Sequence, residues 1–67
     1  MLLQSKILSP GGVCVAHQPR ISLRRMCDRD HLGALGVKEE DILPLELGQM
    51  KLIPLDHRCV LVVRRIK

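Results

Sequence analysis

Not one Phe, Tyr or Trp occurs in this chain of 67 residues. The absence bears on stability first. A buried aromatic ring removes about 150–250 Å² from water and usually dominates a small core; here twelve Leu, five Ile and six Val must replace it. A chain this short buries only about 60% of the surface that its unfolded form exposes, and ordering it costs on the order of 1.5 kcal/mol per residue. A core shared between two copies answers that shortage, so a homodimer is expected. A marginal monomer, or a piece of a larger assembly, is the alternative. The same absence removes the rings on which single strands and RNA-recognition sheets stack their bases. A nucleic-acid role would rest on Arg and Lys at phosphates and base edges.

Other features are lacking too. No apolar run approaches the ~18 residues of a membrane span, and Met1-Leu2-Leu3-Gln4-Ser5-Lys6 lacks the apolar stretch of a secretory signal. Three cysteines, an odd number, argue against a disulfide framework and for a reducing compartment. A cytoplasmic protein without a membrane partner is expected. Ser9-Pro10-Gly11-Gly12 lacks the trailing Gly-Lys-Ser/Thr of a phosphate cradle and reads as a turn.

Charge is present and unevenly spread. The net is +4. Residues 1–31 hold five cations and two anions, residues 32–55 two and four, residues 56–67 four and one. Basic ends thus flank an acidic middle, a pattern that suits phosphate binding and also an ordinary solvated surface.

Periodicity predicts mostly strands. Residues 2–8 read as a first strand, and Pro10 and Gly11 suit the second and third positions of the turn that follows. A strand over 13–16 is broken by His17-Gln18-Pro19, because Pro19 lacks an amide donor; Arg20-Ile21-Ser22-Leu23 resumes it. Ser22 can cap a helix running to Leu35 with Gly36 as its terminator, and a rival start has Asp30 as the cap. Ile42-Leu43-Pro44-Leu45-Glu46-Leu47 and Met50-Lys51-Leu52-Ile53-Pro54-Leu55 are expected to fold back on Gly48-Gln49 as a type II′ hairpin. Glu46 would then face Lys51, and Leu43, Leu45 and Leu47 would bury with Met50 and Leu52. The apolar run 59–63 predicts a strand buried on both faces, followed by a basic tail at 64–67.

Cysteine and histidine fall in three local pairs, Cys14 with His17, Cys27 with His31 and His57 with Cys59. Zinc takes such ligands and would help an aromatic-free core. Without a Cys-x2-Cys knuckle, small buried hydrophobes are the competing assignment, and no metal is assigned. A Cys–His nucleophile needs a cleft, an oxyanion hole and an orienting third group, which 67 residues rarely build. No catalytic residue, no cofactor and no enzymatic activity is expected. Arg20, Arg24, Arg25 and Arg29 gather at the strand-to-helix junction, with Lys6 able to join them, as a phosphate-binding set or as a solvated flank. Glu39-Glu40-Asp41 reads as a solvated turn.

Arg20-Ile21-Ser22-Leu23, Leu35-Gly36-Val37, Glu39-Glu40-Asp41 and Gly48-Gln49-Met50-Lys51-Leu52-Ile53 together resemble the core of the AbrB/MazE swapped-hairpin family, over roughly half the chain. The resemblance implies a dimer whose strands interleave into one barrel and bind DNA through basic residues of the N-terminal strands. Carried over by position, Lys6 and Arg20 would face DNA, joined by Arg24 and Arg25. The strand at 59–63 has no counterpart in the minimal family pattern and leaves a small OB-type barrel open. The expectation is therefore one β-rich α+β domain over residues 1–67, a small barrel or swapped-hairpin dimer with one short helix. It would bind double-stranded DNA as a homodimeric transcriptional regulator or antitoxin-like protein. The alternative is an OB-like or other β-barrel module that docks onto a protein partner in a larger protein or ribonucleoprotein complex.

Overall fold

The computed structural model describes residues 1–27, 37–55 and 58–67. Strands β1 (Leu2–Leu8) and β2 (Cys14–Ser22) are followed by helices α1 (Leu23–Met26) and α2 (Glu39–Ile42), then strands β3 (Met50–Pro54) and β4 (Val60–Arg65). The four strands form one antiparallel sheet in the order β2-β1-β4-β3. Among the described residues the sheet is open, so neither the closed OB-type barrel nor a single-helix architecture is what forms; the fold is a small β-rich α+β sheet with two short helices.

The first hairpin follows from turn chemistry. The amide of Gly12 donates to the Ser9 carbonyl at 2.9 Å, and that of Ser9 donates to Val13 at 2.8 Å. Pro10 takes the second turn position as expected. The left-handed residue is Gly12 (φ 81°), one place later than expected. A three-residue loop ending on such a glycine matches the right-handed twist of the flanking strands.

The expected break at His17-Gln18-Pro19 is absent, and β2 runs through it. Leu3 pairs with Ile21 and Ser5 with Gln18, so Gln4 alone faces both Pro19 and Arg20. Val15 is a second extra residue, between the pairs Ile7–Ala16 and Leu8–Cys14. Bulges on an outer strand are where proline is tolerated, since its missing donor leaves no ladder bond unmade. At the strand's end the Ser22 hydroxyl accepts from the Arg25 amide at 3.2 Å and caps α1. The continuation to Leu35-Gly36 and the start at Asp30 lie outside the described residues.

The hairpin turning on Gly48-Gln49 does not form. Glu39, Glu40 and Asp41 occupy the first turn of α2, where carboxylates favour the positive end of the helix. The Asp41 carboxylate accepts from the Lys38 amide over a long 3.4 Å. Leu43 closes the helix by donating to Glu39 at 2.9 Å, and Pro44 stops it one residue later. The acidic turn and the first half of the expected hairpin are therefore helix and helix stop. Chain reversal still occurs at the expected glycine, in a different turn: Gln49 donates to the Glu46 carbonyl at 2.9 Å with Gly48 third at φ 82°, the geometry of type II. Of the three leucines only Leu45 is buried; Leu43 is 52% and Leu47 68% exposed. Lys51 pairs with Val63 across the sheet and sends its ammonium to the Asp41 carbonyl at 2.7 Å, not to Glu46.

β3 instead pairs with β4, which lies between β3 and β1 and buries Leu61, Val62 and Val63 in succession. Burial on both faces is as the apolar run predicted. The strand extends through Arg64 and Arg65, so the expected basic tail at 64–67 is half strand. Its last residues are tied to the start of the chain, with the Leu2 amide donating to Lys67 at 3.0 Å and that of Ile66 to Leu2 at 2.9 Å. Both helices pack on one face of the sheet around Leu3, Ile21, Leu23, Met26, Val37, Ile42, Leu45, Leu61 and Val63. Among the described residues no helix is long and apolar enough to cross a membrane.

Candidate nucleic-acid interface

Strand alternation sends Leu3, Ser5 and Ile7 of β1 inward, with Leu61, Val63 and Arg65 of β4 and Lys51 and Ile53 of β3. The intervening residues form the opposite face, which carries no helix among the described residues. Register lines them up in rows across the strands: Gln4, Arg64, Met50, with the bulged pair Pro19 and Arg20 of β2 opposite Gln4; then His17, Lys6, Val62, Leu52; then Cys14, Leu8, Val60, Pro54. Lys6, Arg20, Arg64 and Gln4 are exposed. A shallow groove of about 360 Å³ opens here, lined by Gln4, Lys6, His17 and Arg64 with Pro19 and Met50, while Arg20 lies outside it.

The strands contain five cations and no Asp or Glu. Those cations divide by face. Inside, Lys51 is held by the Asp41 carbonyl, and Arg65 reaches the carbonyls of Leu45 at 3.2 Å and Lys67 at 3.3 Å. These two tie the helix layer and the chain end to the sheet. Outside, Lys6, Arg20 and Arg64 have no hydrogen-bond or ion-pair partner among the described residues. Lys6 and Arg64 are diagonal neighbours, roughly 7–8 Å apart at the backbone. Two like charges at ~7 Å repel by roughly 0.6 kcal/mol in water, and a polyanion laid across them converts that repulsion into attraction. The described acids, Glu39, Glu40, Asp41 and Glu46, lie off the sheet in α2 and the turn before β3.

Of the residues expected to meet DNA, Lys6 and Arg20 lie on this face. Arg24 and Arg25 do not join them: they sit on the exposed side of α1, whose Leu23 and Met26 are buried in the core. Arg64 takes their place. The tail assignment hid it, although alternation continued past Val62 would have put it on the face of Lys6. His17 is also there, opposite Lys6.

Of the three Cys/His pairs only Cys14 with His17 lies wholly among the described residues. Cys14 is exposed with its thiol toward the Ala16 carbonyl at 3.4 Å, and it shares the groove with His17. Cys27 packs half-buried against the core, and burial foremost, then Glu39, Glu40 and Asp41, push its thiol above the ordinary 9.0. That disfavours the thiolate which a nucleophile or metal ligand requires. Cys59 is half-buried; His31 and His57 lie outside the described residues. Among the described residues no three Cys, His, Asp or Glu converge on a point that could hold a metal.

No protein-family model, curated protein or solved structure matches the chain.

Proposed function

We propose that this chain is a non-enzymatic DNA-binding protein, a transcriptional regulator or antitoxin-like factor of the AbrB/MazE swapped-hairpin kind, acting as a cytoplasmic homodimer. One observation carries the proposal: the sheet face that bears no helix holds Lys6, Arg20 and Arg64 without partners among the described residues, on strands that contain no carboxylate. Cations that serve the fold are satisfied by carbonyls, as Lys51 and Arg65 are. A row of unsatisfied ones on a flat surface suits regularly spaced phosphates.

Dimerisation is supported by the aromatic-free core and by the way the two hairpins meet. β1–β2 and β3–β4 touch through the single ladder β1–β4. Exchanging one hairpin between two copies preserves every strand pair, which makes a swap inexpensive. A competing assignment, a module that docks onto another protein, draws on Met50 (59% exposed) and Leu52 (60% exposed) beside the cations.

The test is duplex binding against salt. Each phosphate contacted contributes about −0.9 to the log–log slope. Lys6→Ala with Arg20→Ala abolishes binding while the dimer persists, and Arg64→Ala alone weakens it. Salt-independent or absent duplex binding by the wild-type chain overturns the proposal and favours the docking module.

A further inference from the structure

We infer that Gln4, Arg20 and Arg64 form a base-reading row, distinct in role from Lys6. The inference rests on the DNA-binding proposal and names which part of the face would read sequence. The three residues stand on adjacent strands β2, β1 and β4: Gln4 pairs with Arg64, and the β2 bulge sets Arg20 beside Pro19 on the other side of Gln4. All three are exposed. No hydrogen bond among the described residues occupies the Gln4 amide or either guanidinium.

The chemistry is specific to this row. Arg offers paired donors that match O6 and N7 of guanine, and the amide of Gln offers a donor and an acceptor that match N7 and N6 of adenine. Lys6, one row away between His17 and Val62, is a point charge suited to phosphate. Adjacent strands lie about 4.8 Å apart, so Arg20 to Arg64 spans roughly 9.6 Å. A major groove about 12 Å wide admits a two-stranded ribbon, so this wider sheet face stays at the mouth of the groove and reaches base edges through its long side chains. The bulge assists, because two residues of β2 share Gln4 as their partner and the strand bends there, which re-aims Arg20. An exposed glutamine between two cations contributes nothing to non-specific affinity. Its neutral, two-way hydrogen bonding is useful where a base edge must be identified.

The experiment uses the full chain and a pool of duplexes with a randomised centre, selected for binding and sequenced, followed by titration of the selected duplex and of a scrambled one. The wild type enriches an adenine flanked on at least one side by guanine. Gln4→Ala lowers affinity for the selected duplex by roughly 5- to 100-fold, lowers that for the scrambled duplex much less, and loses the adenine from a repeated selection. Lys6→Ala weakens both duplexes by a similar factor and reduces the salt slope by about one. If Gln4→Ala selects the same sequence as the wild type, the row does not read bases, although the DNA-binding proposal survives. If the wild type binds duplexes with salt sensitivity but enriches no sequence, the row is likewise refuted. If no duplex binds, both proposals fall together. Melting curves of each variant show that the loss is not unfolding, since Gln4 and Lys6 are exposed positions.

Discussion

The three leucines at 43, 45 and 47 separate the observed fold from the hairpin that local pattern favours. In that hairpin all three share a face and bury together, so truncating any of them costs about the same. In the observed fold Leu45 is 3% exposed and sits in the core, whereas Leu43 and Leu47 are mostly solvated. Leu→Ala removes three carbons, worth about 2.4 kcal/mol of transfer free energy when fully buried. At Leu45 the cavity left behind adds to this, giving roughly 2.5–5 kcal/mol. At the other two positions the buried fraction of the same transfer is about 1 kcal/mol or less. A chain of 67 residues has an unfolding entropy near 0.14 kcal/mol/K at about 2.1 cal/mol/K per residue. Leu45→Ala therefore lowers Tm by roughly 18 °C or more, and Leu43→Ala and Leu47→Ala by about 7 °C or less. Thermal melting followed by far-ultraviolet circular dichroism, at one protein concentration for all variants, measures the three. Equal losses would refute the placement of α2 and its following turn.

Other outcomes follow from single features. Gly12→Ala forces a side chain into the left-handed region and costs on the order of 1 kcal/mol by melting, whereas Gly11→Ala is neutral or slightly stabilising; the reverse order would restore the positive φ to Gly11. Cys27 is held as a thiol because burial and Glu39, Glu40 and Asp41 disfavour its charge. Its folded value lies above the unfolded one, so the native state keeps a proton that the unfolded state releases. Stability from this group is full below pH 9.0 and declines as pH rises past it. Cys27→Ala flattens the melting profile between neutral and alkaline pH, and superimposable profiles would contradict the assignment. For a swapped homodimer, Tm falls on dilution and sedimentation gives twice the mass of one chain; a Tm independent of concentration at the mass of a single chain removes the dimer from the proposal.

Much of the local structure is legible in the residues. β1 was expected at its observed limits, and the turns at Pro10 and Gly48 and the Ser22 cap follow from side chains acting on backbone within a few positions. The placement of the candidate residues was partly legible. Lys6 and Arg20 lie on the face away from the helices, Arg24 and Arg25 on the exposed side of α1, and Arg64 in a strand where the sequence reads as a basic tail. The acidic run before Ile42 and Pro44 after it is equally a helix with its stop, a pattern that an alternation of leucines obscures.

The sequence by itself determined β1, the turns at Pro10 and Gly48, the Ser22 cap and the buried apolar strand near the end of the chain. Only the tertiary structure decided that Met50–Pro54 lies against Val60–Arg65 and not against the leucines before it, and that Lys51 and Arg65 serve the fold while Lys6, Arg20 and Arg64 face outward. The physical reason is range. Turn and cap chemistry operates over two to four residues, but a strand's partner is chosen by how much apolar surface the pairing buries across the whole sheet. Val60–Arg65, apolar on both sides through Val63, takes the interior place.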